Sequence, residues 1–377
     1  MKFTQAGAMS RAFSLYLDAV RFLAAMLVLF YHANWIYRPG YVITSLGHEA
    51  VVIFFVLSGF VIAYVADTRE QDFRGFMIAR GARIFSVAIP AIAFTWLLDS
   101  AGFSISEAVY PDAYQAWSQP ILRAVTSSFF LNEIWTLSIQ LFSNTPYWSL
   151  NYEVWYYVLF GVLFFFEGRR RLCVFLLLCL LLGPKILLLL PVWWMGVRVY
   201  RSRHAADLPL WAGWLYLLLS IAGGYCYIHY SMAEAGSNFL EQLMGEERHT
   251  QLAFSRQFVS DYYLGVVLSL HFVAMKTLLA RVGQPPRRFE VAVRYLAGAT
   301  FSIYLFHQPL LWFFSAVFAS IEPDIGRYVI AVCLTFLSAM LLSTVTERKK
   351  HWWHNWIVQL LALVERIGSR FRESFAR

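Results

Sequence analysis

The sequence predicts an all-α fold, a polytopic membrane bundle of about ten transmembrane helices with both termini cytoplasmic. Three observations lead there. Hydrophobic residues make up 59% of the chain and charged residues only 14%, with a mean hydropathy of +0.55. A soluble domain is nearer half apolar and a quarter charged. Apolar runs of the length needed to cross a hydrocarbon core of about 30 Å recur along the whole chain. The basic residues alternate between the ends of those runs. With the N-terminus inside, 24 Lys and Arg fall in cytoplasmic segments, and six lie opposite: Arg38, Arg123, Lys185, Arg248, Arg256 and Arg327. That is a strong positive-inside bias. The net charge of +8 is thus organised about a bilayer, which argues against nucleic acid as a partner.

The first run, 15–37, follows basic residues as a signal peptide would, but it is too long and carries Arg21 and His32, so it reads as an uncleaved span. Runs at 48–66, 82–99 and 147–166 follow. Residues 171–200 would make one helix of about 45 Å, too long for the core. Gly183 and Pro184 interrupt it midway, which predicts two short helices in a tight hairpin. Runs at 208–229, 258–279, 296–318 and 326–346 complete the ten. Residues 351–372 set Trp352, Trp353, Trp356, Leu360, Leu361 and Val364 against Arg366, Arg370 and Arg372, an amphipathic helix for the inner leaflet. The chain therefore divides into a transmembrane domain, 1–350, and an amphipathic cytoplasmic tail, 351–377.

A rival arrangement takes 121–142 as a span and 171–200 as a single tilted helix, and it also totals ten. It would put Arg169, Arg170 and Arg171 outside and bury Arg123, Asn132 and Glu133. Residues 121–142 are therefore read as an interfacial or re-entrant element of the outer loop 100–146. Cys173, Cys179, Cys226 and Cys333 lie within apolar runs without metal-type spacing. They read as small buried hydrophobes, with neither a metal site nor a disulfide framework implied.

Ionisable side chains within apolar spans are functional candidates by default. Arg21 and His32 stand eleven residues apart, about three helical turns, so they share one face roughly 16 Å apart along the axis. Such a helix suits a membrane enzyme that grips a long anionic donor on one side and does acid–base chemistry towards the other. A core ion pair of Arg21 with Asp18 and a hydrogen-bonded histidine is the plainer reading. In the ten-span arrangement Glu153 lies at a depth similar to His32, and a carboxylate beside an imidazole orients a general base. Arg80 and Arg83, one turn apart, have the spacing of a phosphate-binding pair, although arginines at inner helix ends are also ordinary anchors. Ser58 and Gly59 favour close helix approach, and a nucleophilic Ser58 would need His32 as its base. His307 lies at mid-membrane, two residues before Pro309, which frees a backbone carbonyl. His204, His229, His249, His271, His351 and His354 form no ligand-type constellation and read as surface or packing residues.

Together these pieces resemble the acyltransferase 3 family of membrane O-acyltransferases. Tyr16-Leu17-Asp18-Ala19-Val20-Arg21-Phe22-Leu23-Ala24-Ala25 ending in Tyr31-His32, then Phe54 to Phe60, Arg80 with Arg83, Trp148-Ser149-Leu150 with Glu153, and Tyr304-Leu305 with His307 recur in the family's order. The likeness runs from Tyr16 to Glu347. One departure concerns the proline that commonly follows closely on the second arginine of the Arg-x-x-Arg element; here it comes only at Pro90.

The resemblance implies transfer of an acyl group, with acetyl leading, from cytoplasmic acyl-CoA to a hydroxyl of a cell-surface glycan or its lipid-linked precursor, in a bacterial inner membrane. His32 would be general base with Glu153, and Arg21, Arg80 and Arg83 would bind the donor. Ser58, Trp148, Ser149, Tyr304 and His307 would support the site. No tightly bound cofactor is expected; acetyl-CoA serves as a substrate. Some relatives carry a C-terminal extracytoplasmic hydrolase-like domain. None follows here before Arg377, so transfer is expected to finish in the membrane domain or on a partner. Direct transfer from the thioester is preferred to an acyl-enzyme. A flippase or transporter for a glycolipid or polyol, or a non-catalytic part of a polysaccharide assembly complex, are the alternatives. Tyr110, Tyr114, Trp117, Glu241, Glu246 and Glu247 in the outer loops are plausible sugar-binding material.

Overall fold

Backbone polar groups in hydrocarbon must be satisfied within the chain, and helices do this segment by segment. The computed structural model describes residues 9–39, 42–111, 119–202, 208–321 and 325–375, so Tyr114, Trp117 and His204 lie outside the described residues. Within them the chain forms α1 (Arg11–Tyr37), α2 (Gly47–Thr68), α3 (Phe73–Ile105), α4 (Pro120–Ser128), α5 (Tyr147–Phe165), α6 (Gly168–Leu182), α7 (Pro184–Arg201), α8 (Leu210–His229), α9 (Met232–Met244), α10 (Glu246–Gln251), α11 (Phe258–Leu279), α12 (Arg287–Ala297), α13 (Thr300–Val317), α14 (Ile325–Val345) and α15 (Lys350–Phe375). Among the described residues the only β contact is one isolated bridge, Leu141–Asn144.

A helix stands at every expected run. Among the described residues six stretches are long and apolar enough to cross a membrane: α1, α2, α3, α8, α11 and Ile325–Ile367. The pair α12 and α13, bent by 48°, adds a seventh where the two cross as one broken span. The chain is a multi-pass membrane protein on that ground. The expected count of ten also includes α5, α6 and α7, which do not qualify by themselves. α6 has 15 residues, about 22 Å of rise. α7 has 18 and carries Lys185, Arg198 and Arg201, and α5 gives its first turns to Tyr147, Asn151, Tyr152 and Glu153.

The hairpin expected within 171–200 is present. Gly183 separates α6 from α7 at φ +76°, a conformation open mainly to glycine, and Pro184 begins α7 where no helical N–H is required. Residues 121–142 are not one helix, which removes the rival arrangement's extra span. Only α4 is helical there, and the following turns dip into the bundle, with Asn132, Glu133, Ser143 and Asn144 buried. Glu133 is therefore buried as well, and is tolerated because the Lys185 ammonium lies 2.8 Å away and Ser138 donates to it at 2.9 Å. The same segment caps α6, with the Trp135 backbone N–H donating to the Leu182 carbonyl at 2.8 Å.

Two devices hold the helices that carry the candidate residues. α2 and α7 meet backbone to backbone: a Cβ on Gly59 would overlap the Trp193 carbonyl oxygen, and one on Gly196 the Val56 carbonyl oxygen. In α13, Pro309 deprives the Leu305 carbonyl of its helical donor, and Asn144 Nδ2 replaces it at 2.8 Å. Glu347 fastens the other end of α13 by accepting from the backbone N–H groups of Phe301 and Ser302, both at 3.1 Å.

Gly59→Ala should therefore force α2 from α7 and destabilise the protein by about 1–3 kcal/mol. Gly224→Ala, where a Cβ would meet nothing within 4 Å, should cost nothing measurable. Thermal unfolding of both variants in detergent checks this, and equal melting temperatures would contradict it.

Candidate functional site

Five helices converge on two adjoining cavities. The first is lined by Arg21 of α1, Ser58 of α2, Arg83 of α3, Ser149, Glu153 and Tyr157 of α5, and Tyr304 of α13. The second is lined by His32 of α1, His48 of α2, Trp148 of α5 and Tyr304, with Ser138, Gln140, Arg256 and Gln257 from the intervening segments. Val51 and Tyr304 line both, so one side-chain layer separates an arginine cavity from a histidine cavity. The Tyr304 hydroxyl is held there by Ser149 Oγ at 2.6 Å.

In the arginine cavity, Glu153 accepts from Ser58 Oγ at 2.7 Å and from the Tyr157 hydroxyl, while the Trp193 indole N–H donates to Ser58 Oγ at 3.2 Å. Arg21 is half of the expected ion pair, with Nη2 2.8 Å from Asp18 Oδ1, and it lines the cavity as well. Arg83 lies within electrostatic reach of Tyr157, Glu153, Glu347 and Asp18. No acid among the described residues forms an ion pair with Arg83. A guanidinium so placed is a strong binder of an incoming anion. Arg80 behaves differently. Its guanidinium lies 3.5 Å from Glu70 and over the Phe76 ring, outside this lining, so the expected Arg80/Arg83 pair does not face the cavity as a unit.

His32 engages other partners than the one expected. Its Nδ1 lies 2.9 Å from the Val28 carbonyl oxygen and 3.1 Å from His307 Nε2, whereas the polar contacts of Glu153 are made to Ser58 and Tyr157. The proposed His32–Glu153 dyad is thus corrected to a His32–His307 pair. The reason lies upstream of α5. Because 129–146 folds inward, Tyr147 through Tyr152 are buried, and Glu153 sits beside Arg21 and Arg83 rather than beside His32. Ser58 is likewise joined to Glu153 and not to an imidazole.

The hydrogen bonds determine the tautomers. His307 Nδ1 lies 2.8 Å from the Tyr304 carbonyl oxygen, which only accepts, so Nδ1 carries the proton and Nε2 is left as an acceptor. The Val28 carbonyl imposes a proton on His32 Nδ1 in the same way, and that N–H is shared with His307 Nε2. His32 Nε2 then bears the free lone pair of a neutral ring that lines the cavity. This is the form a general base needs.

Sequence reasoning reached Arg21, His32, Ser58, Arg83, Trp148, Ser149, Glu153, Tyr304 and His307 as cavity or partner residues. It missed Tyr157, one helical turn beyond Glu153, and Glu347. It also missed His48, whose partner Asp261 is 213 residues away.

Comparison with known proteins gives a consistent picture. The family model for an acyltransferase domain, acyltransferase 3, matches residues 14–344. An O-acetyl transferase of Shigella phage Sf6 is 31% identical over 156 residues, covering 38% of this chain and 44% of the relative. The peptidoglycan O-acetyltransferase OatA of Listeria monocytogenes is 23% identical over 369 residues, 88% of this chain and 55% of the relative. The chain spans about half the length of these relatives. No solved structure matches.

The partner assignments predict a pattern of coupling. Ser58→Ala and Glu153→Gln should interact by about 0.5–3 kcal/mol in a stability cycle, as contacting residues do. His32→Ala and Glu153→Gln should add to within about 0.5 kcal/mol. Denaturation of the three single variants and two double variants would reveal a reversed pattern if His32 leaned on Glu153.

Proposed function

The chain belongs to the acyltransferase 3 family, and on that premise we propose that it moves an acetyl group from cytoplasmic acetyl-CoA to a hydroxyl of a cell-surface glycan or its lipid-linked precursor. The observation that carries this reading is the pair of cavities meeting at Val51 and Tyr304, one lined by Arg21 and Arg83, the other by His32. Both relatives are named O-acetyltransferases, and one acts on peptidoglycan by name.

In this reading the donor's phosphates bind Arg21 and Arg83 on the cytoplasmic side, in the orientation favoured by the distribution of Lys and Arg. The thioester reaches the Tyr304 layer, and the acceptor occupies the histidine cavity. His32 Nε2 takes the hydroxyl proton as the oxygen attacks the thioester carbonyl. The C–O bond forms, the C–S bond breaks, and the departing thiolate takes a proton from the imidazolium. The Val28 carbonyl and His307 Nε2 both accept from His32 Nδ1–H, so they orient the ring and stabilise its charged form. Glu153 has a separate part: it holds Ser58 and Tyr157 and balances the two arginines. With its hydroxyl bound to Glu153, Ser58 lacks an imidazole to activate it, which supports direct transfer over an acyl-enzyme. The bacterial inner membrane is the location this donor and acceptor require.

Purified protein should bind radiolabelled acetyl-CoA, which a transporter would ignore. His32→Ala should lower transfer by about 10²–10⁴-fold while donor binding persists; a loss below roughly tenfold would rule out the general-base role. Arg83→Ala should weaken donor binding more than Arg80→Ala, because Arg80 is already engaged by Glu70. Equal effects on equilibrium binding would reverse that assignment.

A further inference from the structure

One titratable pair in the histidine cavity has no part in the mechanism above. His48, in the first turn of α2, directs Nε2 to Asp261 Oδ1 of α11 at 2.9 Å. A carboxylate only accepts, so Nε2 carries a proton and Nδ1 is the nitrogen left for a ligand. Among the described residues Nδ1 has no hydrogen-bond partner. The charged groups facing His48 are Asp261, Glu49 and Arg256. Asp261 is fully buried, and its Oδ2 has no partner. Half-unpaired buried carboxylates are costly, so their retention asks for a reason. A tie between α2 and α11 would be served as well by a buried histidine. His48 instead keeps 22% of its side chain accessible, on the cavity wall.

The surroundings indicate what it meets. The Trp148 indole lies nearly parallel to the His48 ring, 6.3 Å between centroids, and Phe254 stacks on Trp148 at 4.5 Å. Gln140, Gln257 and Ser138 supply neutral polar groups and Arg256 a cation on the same lining, which among the described residues contains no carboxylate. A half-apolar cavity wall with several directional donors and acceptors suits a saccharide, whose hydroxyls seek hydrogen bonds while its C–H groups meet apolar edges.

We propose that His48, held by Asp261, recognises the acceptor: its Nδ1 binds a saccharide hydroxyl other than the one His32 activates. This rests on the reading of the histidine cavity as the acceptor side. Asp261 is a positioning residue in this scheme.

Transfer from radiolabelled acetyl-CoA to a panel of soluble hexose and N-acetylhexosamine oligosaccharides, using the full chain in proteoliposomes, tests it. His48→Ala should raise the saccharide KM at least fivefold, with kcat within about threefold and acetyl-CoA Kd unchanged. Asp261→Asn should shift KM in the same direction by less, and His48→Gln should recover part of the loss. An unchanged KM in His48→Ala, or a loss confined to kcat, overturns the proposal while leaving the parent reading in place. Loss of acetyl-CoA binding in both His48→Gln and Asp261→Asn would mark the pair as structural and overturn it too. A wild-type chain that binds acetyl-CoA but acetylates no saccharide would refute the parent reading and this subsite together.

Discussion

Everything chemical in this bundle depends on how two imidazoles from helices at opposite ends of the chain share one proton. His32 and His307 lie 275 residues apart in sequence and 3.1 Å apart between ring nitrogens. Backbone carbonyls fix the proton on Nδ1 of each ring, so the pair has only one neutral arrangement that satisfies every donor. That arrangement leaves a basic nitrogen on the cavity side of α1. Replacing a backbone partner by water would free the ring to flip, so the buried, dry packing of α13 is part of the chemistry. His307 itself is fully buried and reaches the site only through His32.

The rest of the fold can be understood as support for that contact. α13 must carry a proline near its middle and yet stay rigid, and the cost is met by Asn144 bonding the released Leu305 carbonyl. Asn144 can reach it only because 129–146 folds into the protein, anchored by Asp99, which accepts from the Ser143 backbone N–H at 3.0 Å and its hydroxyl at 2.6 Å. At the other end Glu347 completes the first turn of α13. The inward loop also sets where α5 begins, and so delivers Glu153 to the arginines. One segment of irregular backbone thus positions two helices and separates the two charged centres.

Much of the local structure was legible in the sequence. Apolar run lengths gave the helices, Gly183 and Pro184 gave the hairpin, Pro309 announced a freed carbonyl, and the three-residue spacing of Asp18 and Arg21 gave their ion pair. Pairings across the bundle were not. Depth was counted as if α5 entered from the outer surface at Tyr147, although 121–142 reads as interfacial or re-entrant, and Tyr147 is in fact buried. That single error placed Glu153 beside His32. Arg80 and Arg83 share a helix face by spacing, but only the neighbouring Glu70 decides that Arg80 turns away. His48 carried no signal at all, since a histidine at the start of an apolar run becomes informative only once Asp261 is known to face it.

The central claim is that the arginine cavity and the histidine cavity are two ends of one transfer path. Cryo-electron microscopy of the protein with a non-hydrolysable acetyl-CoA analogue addresses it most directly. The account predicts phosphate density against Arg21 and Arg83, with the acetyl carbonyl at the Val51–Tyr304 layer and in contact with the His32 ring. An analogue bound elsewhere, or one whose carbonyl remains among Ser58, Glu153 and Tyr157 with His32 turned away from it, would contradict it.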